Sequence, residues 1–143
     1  MPIDNQRVMV KAPSDAAALF RAALPTSQKE ERVFVLPLEG NGRVLAKPIL
    51  VSVGHADGTA TIDAGTIFRE ALKAGAEEII VAHNHPSGNL KPSKADIAAT
   101  AKLREAGAML NVPLIDHLIL GNGEECVSLA ESVDFVNNEG IGK

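Results

Sequence analysis

The sequence predicts an α/β (α+β) fold, a mixed β-sheet flanked by helices. Three observations predict it. Arg32–Leu38 alternates and is rich in Val and Phe, the pattern of a strand. Asn41-Gly42 follows as a hairpin turn, so the sheet opens on an antiparallel pair. Short apolar runs at 78–82 and 113–120 then alternate with helix-like segments. This is not strict βαβ repetition, so the sheet mixes parallel and antiparallel neighbours.

Each element has its own local reason. Residues 1–12 carry no clear pattern and are expected to be loosely held. Ser14 is placed to cap a helix over 15–23 that Pro25 ends. After the first strand, Glu39-Gly40-Asn41-Gly42 turns the chain into a second strand over 43–53, bent at Pro48. Residues 66–73 form a helix stopped near Gly75. A buried strand over 78–82 leads to a loop over 84–92 that contains Pro86-Ser87-Gly88. Ser93 starts a helix that runs to about residue 106. A strand follows at 113–120, Gly121-Asn122-Gly123 turns the chain, and a short strand comes at 126–127. A last helix is expected over 129–136, before a loosely held tail at 137–143.

Composition narrows the function classes. The 143 residues fit a single domain, 1–143, large enough to bury a core without cross-links. Cys126 is the only cysteine, which excludes an intramolecular disulfide and a Cys-type zinc knuckle. No apolar run reaches membrane-spanning length and the N-terminus lacks a signal-peptide core, so a cytoplasmic protein is expected. Acidic residues outnumber basic ones, 18 to 14, and there is no Trp or Tyr. Composition therefore gives no support to nucleic-acid binding, which favours a basic face and aromatic platforms.

The chemistry concentrates in His83-Asn84-His85 and Ser93-Lys94-Ala95-Asp96. Residues at i and i+2 of an extended segment point to the same side. Two imidazole nitrogens can therefore sit about 2.0–2.1 Å from one zinc ion. Asp96 heads a helical stripe with Ala99, Thr100 and Leu103, the spacing of a buried face. A buried carboxylate needs a partner, and a metal held by His83 and His85 would provide one. The tetrapeptide also fits a capping box, with Ser93 capping while Asp96 turns inward. Two His and one carboxylate leave a position open for water, the mark of a catalytic rather than a structural zinc site. Such chemistry needs a carboxylate to move the water's proton and a donor facing the oxyanion, for which the Ser93 hydroxyl is placed.

The run His83-x-His85, seven residues, Ser93-x-x-Asp96 resembles the JAMM (MPN+) metalloprotease motif. The fuller string HNHPSG, then PS..D, then Asp116-His117, is similar to the RadC subfamily of bacterial JAMM-domain proteins over about residues 10–132. The resemblance implies a JAB/MPN fold akin to the cytidine deaminases, with one Zn2+ per chain on His83, His85 and Asp96. It implies a metallopeptidase that cleaves a peptide or isopeptide bond of a peptide or protein substrate, with Ser93 on the oxyanion side. By family register the candidate for the general base is Glu31, just ahead of the Val-Phe-rich strand and next to Glu30; without the register, Lys29-Glu30-Glu31-Arg32 reads as a solvated charge run. Asp116 and His117 are candidates to orient a zinc ligand, one of them at most, since alternation sends them to opposite faces. The chain departs from the subfamily pattern at Ala64, Gly65 and Thr66, where Pro-Arg-Glu is usual, and at Glu39, where aspartate is usual. The alternative function is that of a DNA-repair or mobile-element accessory protein with a structural or vestigial metal site. A zinc deaminase would need His-x-Glu and Pro-Cys-x-x-Cys, and neither is present. His55 is expected in an exposed loop, and Cys126 is expected to be a small packing residue.

Overall fold

A computed structural model of the chain describes residues 8–26, 29–54 and 61–131. In chain order the elements are α1 (Pro13–Ala23), β1 (Arg32–Leu38), β2 (Ile49–Val53), α2 (Ala64–Lys73), β3 (Glu78–Asn84), α3 (Lys94–Leu110), β4 (Leu114–Leu120) and β5 (Cys126–Ser128). A 3-10 turn at Leu129–Glu131 follows. The strands form one mixed sheet in the order β2-β1-β3-β4-β5. Only β3 and β4 run parallel; the other neighbours are antiparallel. The fold is α/β, as the alternation of elements predicts.

Side-chain alternation sorts the sheet into two faces. Val33 and Val35 of β1, Ile79 and Val81 of β3, and Ile119 of β4 pack with Ile67, Phe68 and Ala71 of α2 and Leu103 of α3. Phe34, Leu36, Ile80, Ala82 and Leu118 face the other way, against Ala16, Ala17 and Phe20 of α1. The sheet thus lies between one helix and two. Beyond Val81 on β3, the same parity reaches His83, so the two-helix side receives the imidazoles.

Several boundaries differ from the local signals. The first helix begins at Pro13, not after Ser14. Proline is pre-organised for a first helical position, and the Asp15 carboxylate accepts from the Lys11 and Ala12 amides in place of a serine cap. Residues 8–12 are held, not loose: the Val10 amide donates to the Gly42 carbonyl and the Val44 amide to the Val8 carbonyl. The turn over 39–42 forms as expected, closed by the Glu39 amide on Arg43. The return strand is interrupted, however. Arg43 and Val44 make isolated bridges, and regular pairing resumes only at Ile49. Pro48 has no amide to donate to a ladder, which favours the break there. The second helix starts two residues early because Asp63 caps it; the Thr66 amide and hydroxyl both donate to Asp63. The last predicted helix is a single 3-10 turn at 129–131, and the rest of it lies outside the described residues, as do His55, residues 1–7 and the tail.

The third helix runs to Leu110, four residues past its expected end. Asn111 closes it in the left-handed region at φ 61°, a conformation asparagine tolerates. Gly107 permits the tight return into β4. A methyl group there would lie 2.6 Å from the Val112 carbonyl oxygen and 3.3 Å from the Phe68 ring. The β3–α3–β4 crossover therefore brings the start of α3 back over the C-terminal end of β3. Ligand sites of open α/β sheets gather at such strand ends.

Candidate metal centre

β3 runs through Asn84, so His83 is its last inward imidazole and His85 stands just beyond it. The His85 amide donates to the Leu120 carbonyl, which extends the pairing one residue further. A turn follows in which the Gly88 amide donates to the His85 carbonyl, with Pro86 first among the turned residues. Gly88 has φ +84°, and a side chain there would strike Asn122. This turn returns the Asn89 carbonyl to His85, and helix α3 then begins at Ser93 as expected.

Asp96, buried in the first turn of α3, meets both histidines. His83 Nε2 lies 3.2 Å from Asp96 Oδ1, His85 Nε2 lies 3.2 Å from Asp96 Oδ2, and the two Nε2 atoms are 3.0 Å apart. One ligand atom from each of the three residues lies within 4.8 Å of the others, a cluster that could hold a metal ion. The same carboxylate completes the capping box: Oδ2 accepts from the Ser93 amide at 2.9 Å, while Ser93 Oγ accepts from the Asp96 amide at 3.0 Å. Cap and candidate ligand are one residue.

Hydrogen-bond partners determine where the imidazole protons sit. The Thr100 hydroxyl donates to the Asp96 carbonyl at 2.8 Å, so its oxygen must accept from His117 Nδ1 at 2.6 Å. His117 is fully buried, and burial holds it well below the usual histidine range, hence neutral. With its proton on Nδ1, His117 Nε2 is an acceptor and takes the Nδ1 proton of His83 at 2.8 Å. His83 Nε2 is then a bare lone pair. His85 reaches the same state by a shorter route, since its Nδ1 donates to the Asn89 carbonyl at 2.6 Å. Two imidazole lone pairs and a carboxylate therefore converge with no proton of their own between them. Such a set calls for a cation, and its donors suit a divalent metal.

With a proton on an imidazole Nε2 in the cation's place, the same contacts become hydrogen bonds to Asp96, and the electrostatics describe that protonated cluster. Burial pushes the Asp96 carboxyl upward, but hydrogen bonding from His83 and His85 and from the Ser93 amide pulls it well below the carboxylate range. Hydrogen bonding to Asp96 raises His85, burial opposes this, and the Glu31 carboxylate adds to the rise. Glu31 occupies the position immediately before β1. Its carbonyl accepts from the Gly54 amide at 2.7 Å. Ser93 is exposed at the rim, and its hydroxyl hydrogen is not used by the cap.

Alternation divides Asp116 and His117 as the sequence predicts. His117 hydrogen-bonds to His83. Asp116 turns away and accepts from the His117 amide, the Ser128 hydroxyl and the Ala130 amide, tying β4 to β5 and the 3-10 turn. Asp116→Ala is expected to cost about 2–4 kcal/mol in denaturant unfolding, because it strands those donors. Asp116→Asn should stay within about 1 kcal/mol, since an amide can accept from both backbone groups and donate to Ser128. Burial raises the Asp116 carboxyl above its ordinary range, against the pull of Ser128 and the two amides. The folded state therefore binds that proton more tightly, and the residue's contribution declines as pH rises through the folded pKa. The stability of Asp116→Asn relative to wild type should accordingly improve from acid towards neutral pH.

Helical spacing places Thr100 on the buried stripe, but its role needs His117, which arrives from β4. Thr100→Val preserves volume and removes the hydroxyl. It should weaken divalent-metal affinity about 10–100-fold in a chelator competition titration, with Thr100→Ser close to wild type. Unchanged affinity in the valine variant would refute the proton assignment. Cys126 packs against the α1-side core, and burial raises its thiol, as suits a packing residue.

Residues 10–134 match the family described as RadC-like JAB domain. The chain is 42% identical over 120 residues to a UPF0758 protein of Thermosynechococcus vestitus, covering 84% of this chain and 47% of that one. A UPF0758 protein of Nostoc sp. is also 42% identical over 120 residues, covering 82% and 49%. One from Synechocystis sp. is 38% identical over 130 residues, covering 91% and 52%. The chain spans about half the length of the curated relatives it matches. No helix among the described residues is long and apolar enough to cross a membrane.

Proposed function

The chain belongs to the RadC-like JAB domain family, and from that premise we propose that it is a zinc-dependent hydrolase of peptide or isopeptide bonds. The observation that carries this reading is the convergence of His83 Nε2, His85 Nε2 and an Asp96 oxygen on one point, with both imidazole tautomers held from behind. The two Nε2 atoms lie 3.0 Å apart, and each lies 3.2 Å from a different Asp96 oxygen, close to the spacing of about 3.3 Å between tetrahedral zinc ligands. Three protein ligands leave a fourth position for water or substrate, the pattern of catalytic zinc.

A zinc ion held there supplies Lewis acidity, polarising the substrate carbonyl and acidifying the attacking water. Glu31 takes the water's proton and passes it to the departing amine. The Ser93 hydroxyl donates to the oxygen on which negative charge develops. Its oxygen is already tied to the Asp96 amide, so the donor is pre-set rather than free to turn. His117 and Thr100 keep His83 in the tautomer that ligates. The substrate in this reading is a peptide or protein segment whose scissile amide lies across the start of α3.

The test is direct. Purified protein should take up one zinc per chain by elemental analysis. A metal-loaded sample should cleave some members of a library of short internally quenched peptides, linear and lysine-branched. Chelation should stop cleavage and zinc should restore it. Failure to load zinc would defeat the reading at its base; stoichiometric zinc without any cleavage would leave a metal site but not this enzyme.

A further inference from the structure

Between the two candidate ligands sits Asn84, fully buried, with parity opposite to His83. Such a side chain must satisfy both ends of its amide, or folding loses about 1–3 kcal/mol for each unpaired group. It does so on a single short segment. Asn84 Oδ1 accepts from the Arg32 amide at 2.7 Å, and Asn84 Nδ2 donates to the Glu30 carbonyl at 3.1 Å. The two backbone groups it grips lie on either side of Glu31.

The sheet explains why a side chain is needed there. Regular β1–β3 pairing ends at Val33 opposite His83. One residue further, the Asn84 amide takes the place of the missing rung. On its other side, the segment is held by the Gly54 amide on the Glu31 carbonyl. Glu31 thus emerges half-buried from a backbone tied on both flanks, although it precedes the strand.

We infer that Asn84 is a positioning residue, which holds the backbone on both sides of Glu31 so that its carboxylate stands at the metal centre. The inference rests on the proposed hydrolytic function and adds to it. The segment between the two ligands binds the metal on one side of β3 and places the proton-transfer group through the other. A single strand end thereby couples both halves of the chemistry, which makes the asparagine part of the site rather than a spacer.

Asn84→Ala in the zinc-loaded protein tests it, with the quenched peptides cleaved by the wild type as probe. Zinc stoichiometry should be unchanged, because the imidazoles face away from residue 84. Hydrogen exchange at the Arg32 amide should speed up relative to the Phe34 and Val35 amides. The kcat should fall about 100-fold, the cost of displacing a catalytic group by about 1 Å, with KM nearly unchanged. Placed on Glu31→Gln, the alanine should cost little more, since the group it positions is already disabled. Wild-type kcat in Asn84→Ala, or fully additive losses in the double variant, would overturn the inference while leaving the hydrolase reading intact. A wild-type protein that binds zinc but cleaves nothing would defeat that reading first and this one with it. If the alanine variant does not fold, Asn84→Asp decides. It keeps the acceptor for Arg32, loses the donor to Glu30, and should lower kcat about 10-fold, as a smaller displacement would; an unchanged kcat would overturn the inference.

Discussion

A Glu31→Gln protein should hold zinc as the wild type does and hydrolyse its substrate about 10²–10⁴-fold more slowly, the usual share of a general acid–base group. Glutamine matches glutamate in shape, so the Asn84 grip and the Gly54 contact on this segment survive. What disappears is a group that can accept and return a proton. The neighbouring Glu30 is exposed and its carbonyl, not its carboxylate, is tied to Asn84. Glu30→Gln should therefore leave the rate within a few-fold of wild type, on the order expected for an exposed charge outside the reaction. The decisive measurements are zinc stoichiometry and kcat on the same preparations. Zinc lost from Glu31→Gln would make Glu31 a ligand, and an undiminished rate would send the search for the base elsewhere.

The second large effect separates the two duties of Asp96. Asp96→Asn retains an oxygen for the Ser93 amide, so the start of α3 should remain capped and metal-free stability should change by no more than about 1 kcal/mol. The remaining amide nitrogen would face the imidazole lone pairs as a donor. It satisfies the space a metal would fill and removes the only charged ligand. Zinc affinity should drop by at least about 100-fold, beyond the loss typical of a partner behind a ligand. Calorimetry gives the cleanest contrast. Wild-type protein at a hundredfold excess of zinc over Kd should gain about 2.7 kcal/mol, and the asparagine variant almost none. Equal stabilisation of both proteins would mean that Asp96 serves the helix alone.

Much of this site is legible along the chain because it is built from short-range spacing. His83 and His85 share a side because strands alternate, and Ser93 with Asp96 forms a cap because helices begin that way. The core strands are legible for the same reason, as with Arg32–Leu38, whose bounds agree with the local pattern. The return strand departs from the local pattern where distant segments compete, and the start of α1 where neighbouring residues compete to cap it. Residues 8–10 bind Gly42 and Val44 and draw the return strand out of register. Pro13 and Asp15 displace Ser14 as the start of α1.

Spacing along the chain is enough to nominate the candidate ligand set, the residue that caps α3, and the alternation that parts Asp116 from His117. Each of these depends on contacts between residues a few positions apart, where backbone geometry leaves little choice. Which partners stand behind them depends on how distant segments pack. His117 meets His83 across neighbouring parallel strands, Thr100 meets His117 from the returning helix, and Asn84 reaches back some fifty residues to grip the flanks of Glu31. Proton placement and carboxylate placement both depend on those long-range bonds. Local spacing can nominate the residues that touch a metal; packing of the sheet against α3 sets the protonation and orientation in which they could do so.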